Sequence, residues 1–274
     1  MRFLKSWRLS WTLDQIGTLS NYSKHRLVLA SSWKYWLALF IKFLPGVYKS
    51  PIRLRLKQGG TFAIVDFMSL FIYNEIFIDG AYDYPDLGID DPVILDIGAN
   101  TGLFTLRMKE LYPNAALYCY EPFPSNFEQL ERNIKLSELE NIELIMKGVG
   151  GNTRSEKLYI NKTNLGGHSL FENEARSHDF VTIDILGIGE LIKNLPNDHI
   201  HLIKLDCEGA EFEIIKAIDK ELASGVEFIL FESTESVYNL NDLIDHLTFL
   251  GFDIEFKEKS CNYIARNLIF HPLI

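Results

Sequence analysis

The sequence of 274 residues is short of several things, and each shortage closes off a class of protein. It has three cysteines (Cys119, Cys207, Cys261), widely spaced and with no Cys-x-x-Cys pair. An odd, scattered set excludes a disulfide framework and a structural zinc site, and it fits a reducing compartment. Tryptophan is absent after residue 36, because Trp7, Trp11, Trp33 and Trp36 are the only four. Acid is nearly absent from the same head: residues 1–60 hold eleven Lys or Arg against Asp14 alone, a net of +10. The chain as a whole carries −10, which leaves −20 on residues 61–274. So acidic a body repels a phosphate backbone, and no nucleic-acid partner is expected. No internal repeat or low-complexity segment is evident. An apolar leader ending at a small-residue cleavage site is also missing, so the expected location is cytoplasmic.

No run is apolar enough to cross a bilayer cleanly. Residues 27–44 come nearest, but Ser31, Ser32, Lys34 and Lys42 interrupt them. On one helix, Ser31, Lys34 and Lys42 form a narrow polar stripe, and Pro45-Gly46 ends it. Two lysines in so short a span argue against crossing. Two readings stay open: a helix lying peripherally at the inner membrane surface, or a cap on the main domain or on a partner subunit.

What is present is a regular α/β alternation. Residues 52–56 and 62–67 read as short strands around Gly59-Gly60, and residues 68–77 as a helix. From Pro92 strands and helices alternate, as in an α/β domain with a largely parallel sheet. Strands are expected at 93–97, 117–120, 142–146, 200–205 and 226–231, with short additional ones at 158–160 and 180–183 around a polar insertion, residues 161–179. The helix near 125 is expected to open on a Ser125-x-x-Glu128 capping box. A final hairpin is expected at 252–256 and 263–266. The organisation reads as a basic, Trp-rich extension (1–60), a lead-in segment (61–91) and the main domain (92–274).

Three features carry chemistry. The first is the strand-to-helix turn Asp96-Ile97-Gly98-Ala99-Asn100-Thr101-Gly102. Gly98 and Gly102 allow a sharp turn and a close ligand approach, and the following helix offers its N-terminal amides to an anion. Such a turn serves several nucleotides, although the Gly-x-Asn-x-Gly form and the carboxylate of Asp96 favour an amino-acid-bearing cofactor over a dinucleotide. The second is Glu121, followed by Pro122, at the end of the next strand. An acid there accepts hydrogen bonds from ribose hydroxyls. The third is Lys204-Leu205-Asp206-Cys207-Glu208-Gly209-Ala210-Glu211, where three carboxylates crowd the end of the fourth core strand.

Together these stretches, in their order and intervals, resemble the FkbM-type S-adenosylmethionine-dependent methyltransferases over roughly residues 75–267. The resemblance implies a class I (Rossmann-like) seven-stranded mostly parallel sheet with a reversed last strand, preceded here by a helical and β extension. It implies O-methylation of a hydroxyl on a sugar, glycan, lipid or polyketide-type natural product. Position by position, Asp96, Gly98, Asn100 and Gly102 would hold the methionine end of the cofactor, Glu121 with Pro122 the ribose, and Asp206 would border the sulfonium. The third strand runs into Lys147-Gly148-Val149-Gly150 with no acid for the adenine amino group, so adenine recognition is unassigned. Candidate bases are Asp206, Glu208, Glu232 and His168. No second acidic cluster completes a shell for a divalent cation, so no metal is expected. The competing readings are a nucleotide-dependent oxidoreductase and a non-catalytic membrane-associated binding protein of the same fold.

Overall fold

The protein is described from a computed structural model, over residues 9–13, 15, 19–43, 50–161, 168–175, 178–196, 199–234, 236–258 and 262–270. Trp7, Cys261 and residues 162–167 of the polar insertion lie outside the described residues. The head contains helices α1 (Leu19–Val28) and α2 (Trp33–Lys42), strands β1 (Ile52–Arg55) and β2 (Thr61–Ile64), and helix α3 (Phe67–Tyr73). The body begins with β3 (Val93–Ile97), α4 (Leu103–Leu111), β4 (Ala116–Tyr120), α5 (Pro124–Ser137), β5 (Ile142–Ile145), β6 (Gly148–Gly150) and β7 (Arg154–Tyr159). It continues with α6 (Glu172–Ala175), β8 (Phe180–Gly187), α7 (Ile188–Asn194), β9 (Ile200–Leu205), α8 (Glu211–Lys216) and α9 (Lys220–Ser224). It closes with β10 (Val226–Glu232), α10 (Leu240–Leu250), β11 (Phe252–Lys257) and β12 (Asn262–Asn267).

Every residue of β3 is buried, as a central parallel strand covered on both faces requires. Alternation then divides its side chains: Ile94 joins one hydrophobic core, Leu95 and Ile97 the other. The sheet has seven strands in the order β11-β12-β10-β9-β3-β4-β5. Pairing is parallel from β10 through β5, while β12 runs antiparallel to both β10 and β11. This is the sheet that the family resemblance implies, reversed last strand included. The strand order turns back at β3, with β4 on one side and β9 on the other, and a crevice opens there at the strands' carboxyl ends.

Helices α7, α8 and α10 cover one face of the sheet. The other face is covered by α4 and α5 and also by the head of the chain, since Tyr35, Leu39, Leu54, Phe62, Phe67 and Tyr73 share a core with Ile94, Leu117 and Leu202. The β1–β2 hairpin (register Leu54↔Phe62) crosses residue 60 and is tied to α5 by two side chains. Asn133 Oδ1 accepts from the Ala63 amide at 3.0 Å, and Ser137 Oγ accepts from the Thr61 amide at 2.8 Å.

Several local expectations are corrected. Residues 27–44 do not form one helix: α1 ends at Val28, Leu29 bridges to Leu56, and α2 starts at Trp33. Lys42 is no member of an open polar stripe. It is buried, and its ammonium donates to the Ser50 carbonyl at 2.9 Å. The helix read over 68–77 is α3, capped reciprocally by Asp66 and Ser69, followed by one π-helical turn, Asn74–Ile78. Helix α5 opens without the Ser125 box, because Pro124, whose fixed φ suits a first helical turn, starts it early. The insertion is flanked by a second sheet of three strands, β6-β8-β7, longer than the short strands expected.

Candidate active site

The turn after β3 is held by its neighbours' backbone. The amides of Gly98 and Ala99 both donate to the Tyr120 carbonyl at 3.0 Å. Asn100 takes a positive φ of 50°, and its amide donates to Glu121 Oε2 at 2.8 Å. Glu121 Oε1 accepts from the Phe123 amide at 2.9 Å, so one carboxylate bridges the turn and the loop after β4. Burial pushes Glu121 up to about 7, against the pull of those two amides.

The glycines also have a packing reason. A β-carbon on Gly98 would sit 2.0 Å from the Asp206 carbonyl oxygen, and one on Gly102 would sit 2.5 Å from Leu130 Cδ1. Their φ values of +78° and +84° already favour glycine. What demands them is the packing of β9's loop and of α5 against the turn.

Beneath the turn lies a buried charge cluster. Asp96 is fully buried, and its Oδ2 accepts from Thr105 Oγ1 at 2.7 Å. The Lys204 ammonium lies 3.4 Å from Asp96 and 3.5 Å from Asp206, and it donates to the Gly98 carbonyl at 2.8 Å. Burial alone would depress this lysine. Asp206 and Asp96 outweigh it and hold Lys204 charged well above its ordinary range. Asp206 is the open member, about a third exposed at the rim. Glu211 points away into its own loop: its two oxygens accept from the amides of Cys207 at 2.6 Å and Gly209 at 2.8 Å. That clasp shapes the loop and leaves Glu208 at a φ of 52°.

Two cavities meet over Gly98, Asn100 and Asp206. The larger, about 650 Å³, brings together Glu121, Pro122, Asn126, His168, Asp206 and Glu208. Its far wall is apolar, built by the small sheet with Val149, Leu158, Ile183 and Ile185. The second, about 380 Å³, runs over residues 98–101 and is roofed by Ile72, Glu75 and Tyr82. Of the expected site residues, Asp96 and Gly102 line neither cavity and support the turn from below. Glu232 stands exposed at the end of β10.

His168 is 8% exposed and packs against Phe123. Its Nδ1 accepts from the Asn161 amide at 3.0 Å, which leaves the ring proton on Nε2. Nε2 is buried with no partner among the described residues. Burial lowers this imidazole to about 4. Burial and the amide held on Nδ1 both disfavour the protonated ring.

These residues suit S-adenosylmethionine. An apolar slot ends at the acid Glu121, His168 lies in its wall, and a carboxylate, Asp206, lies at the bend beside the turn. Lys204, Glu75 and Tyr82 escaped the sequence reading. Lys204 lay inside a motif read for its acids, and the other two lie in the lead-in segment, where spacing carries no signal. Among the described residues, no group of three or more His, Cys, Asp or Glu converges to hold a metal ion.

The sheet order and the donor cavity define a class I methyltransferase. Residues 96–264 match the family model described as the methyltransferase FkbM domain, and the chain belongs to that family. It is 29% identical over 237 residues to Methyltransferase sdnD of Sordaria araneosa, covering 76% of this chain and 91% of that one. Methyltransferase 1 of Beauveria bassiana (strain ARSEF 2860) is 29% identical over 184 residues, 61% of this chain and 74% of its own. The 31-O-demethyl-FK506 methyltransferase FkbM of Streptomyces tacrolimicus is 35% identical over 82 residues, 29% of this chain and 32% of its own. Among solved structures, the methyltransferase FkbM of Methylobacillus flagellatus KT superposes with a TM-score of 0.44 at 16% identity, covering 65% of this chain and 44% of that one. The protein is thus a methyltransferase with S-adenosylmethionine as methyl donor, and the oxidoreductase and non-catalytic readings fall away.

Proposed function

We propose that the enzyme methylates a hydroxyl of a small molecule or glycan, of the sugar, lipid or polyketide type. The observation that carries this reading is Asp206, a rim carboxylate where the two cavities join, paired to a buried lysine and open on its other side. An alcohol must lose its proton as it attacks, and a fixed carboxylate beside the reacting carbon supplies the acceptor for it. Two relatives are named for the same bond: the 31-O-demethyl-FK506 methyltransferase and the 2-O-methyltransferase NoeI of Sinorhizobium fredii (strain NBRC 101917 / NGR234). When bound, S-adenosylmethionine supplies an activated methyl group. In this reading Glu121 accepts from the ribose hydroxyls. Val149, Ile183 and Ile185 hold the adenine. Transfer of labelled methyl from S-adenosylmethionine to glycans, lipids and polyketides tests the acceptor class. Asp206→Asn is expected to lower turnover about 100-fold at saturating donor; full turnover in that variant sinks the role of Asp206.

A second observation bears on where the enzyme works. No helix among the described residues is long and apolar enough to cross a membrane. However, Leu27, Trp33, Leu37 and Phe40 are exposed on α1 and α2, Phe40 at 82%, within a head that carries +10. Aromatic and aliphatic side chains amid basic ones suit an anionic membrane surface, and we read this face as a peripheral contact.

A further inference from the structure

The second cavity is the part of the site that no motif addresses. Its floor is the turn whose residues hold the donor's methionine end in the reading above. Its roof comes from the π-helical turn Asn74–Ile78 and from Tyr82, both preceding the segment that matches the family. The roof is firmly placed. Asn74 Nδ2 donates to Tyr35 Oη at 2.8 Å, and the Ala81 amide donates to the Glu75 carbonyl at 3.0 Å. Asp83 takes a two-pronged ion pair from Arg107 of α4, both contacts at 2.7 Å.

Glu75 is the group here with nothing to do inside the protein. Lys204, among the described residues the only cation lining the cavity, is already engaged by Asp96, Asp206 and the Gly98 carbonyl. Among the described residues, the Glu75 carboxylate has no hydrogen-bond donor. The charged groups that face it are Asp206, Glu232, Lys204 and Asp79, three of them acids. The Tyr82 hydroxyl, which Glu75 influences in turn, stands within 3.5 Å of Asp206. A half-buried carboxylate among other carboxylates calls for a cation from outside. The donor's methionine end brings one, an α-ammonium with three N–H groups.

We propose that Glu75 binds the α-ammonium of S-adenosylmethionine, so that the lead-in segment completes the donor site. This rests on the donor reading above and extends it to a residue outside the matched domain. Burial, then the charges of Asp206 and Glu232, push the empty site's Glu75 up to about 8. At pH 7 it is therefore mostly protonated before binding and ionised after, and donor binding releases a proton. The sign follows: affinity for a ligand bearing the ammonium rises with pH between 6 and 7.5.

The test is calorimetric titration with S-adenosylmethionine, S-adenosylhomocysteine and methylthioadenosine. The last keeps adenine and ribose but lacks the amino-acid end. Titrations at pH 7 in two buffers of different ionisation enthalpy count the protons released. Wild-type enzyme should release more protons with S-adenosylhomocysteine than with methylthioadenosine. Glu75→Gln should weaken both ligands that carry the ammonium about 30-fold, leave methylthioadenosine unchanged, and erase the excess protons. Equal release by the two ligands in the wild type overturns the assignment whatever the variant does. So does a Gln variant that binds S-adenosylhomocysteine as tightly as the wild type, even if it turns over slowly. Should the wild type bind none of the three, the donor reading itself is what fails.

Discussion

The floor of the proposed donor site and its roof are built on different principles. The floor is backbone: a turn between β3 and α4, pinned to Tyr120 by two amides and packed so closely that two of its positions exclude a β-carbon. The roof is side chains, Ile72, Glu75 and Tyr82, carried by a segment that reaches the site by packing on the same hydrophobic core. A floor made of backbone constrains sequence at fixed spacings. A roof made of side chains constrains it only in space. The family match accordingly begins at residue 96 and leaves the roof out.

The largest test of this contrast removes the cation under the floor. Lys204→Met leaves Asp96 buried with only Thr105 to answer it, and stability should fall by about 3–5 kcal/mol, read from urea unfolding. A loss under about 1 kcal/mol would mean that the cluster behaves like a surface pair. Next is Glu121→Gln, which turns one of two amide acceptors into a donor facing a donor. Methylthioadenosine and S-adenosylmethionine should both bind about 10–100-fold more weakly. This is unlike Glu75→Gln, for which methylthioadenosine is spared; if the two variants gave the same pattern, floor and roof would not be separable. The smallest effect lies furthest from the site. Trp33→Ser with Phe40→Ser should change stability by no more than about 0.5 kcal/mol, yet lower affinity for phosphatidylglycerol vesicles at low salt about tenfold. Unchanged vesicle binding would return α2 to a purely packing role.

Legibility followed the same division. The core strands of the main sheet and the final hairpin were readable because each is an apolar run bounded by turn residues. That Glu121 and Asp206 share one cavity was readable because both sit at strand ends beside the switch point. The head was misread where local signals competed with tertiary ones. Residues 27–44 look like one helix by periodicity, but Leu29 pairs with Leu56 across the hairpin and breaks it. Lys42 looks solvated, yet a carbonyl from Ser50 makes its burial tolerable. His168 looks like a base by residue type. Only the structure shows that a backbone amide, from Asn161, occupies its Nδ1 lone pair.

The sequence by itself determined the α/β alternation and the turn over Asp96–Gly102, since a turn built from backbone must repeat its glycines and its acid at set intervals; the donor came from the resemblance those motifs carry together. Only the tertiary structure decided that Gly98 and Gly102 serve the packing of Asp206 and Leu130, and that Lys204 neutralises two acids. It alone brought Glu75, from before the matched domain, over the same turn. Such contacts depend on distance in space between residues far apart in the chain, and no spacing along the chain encodes them.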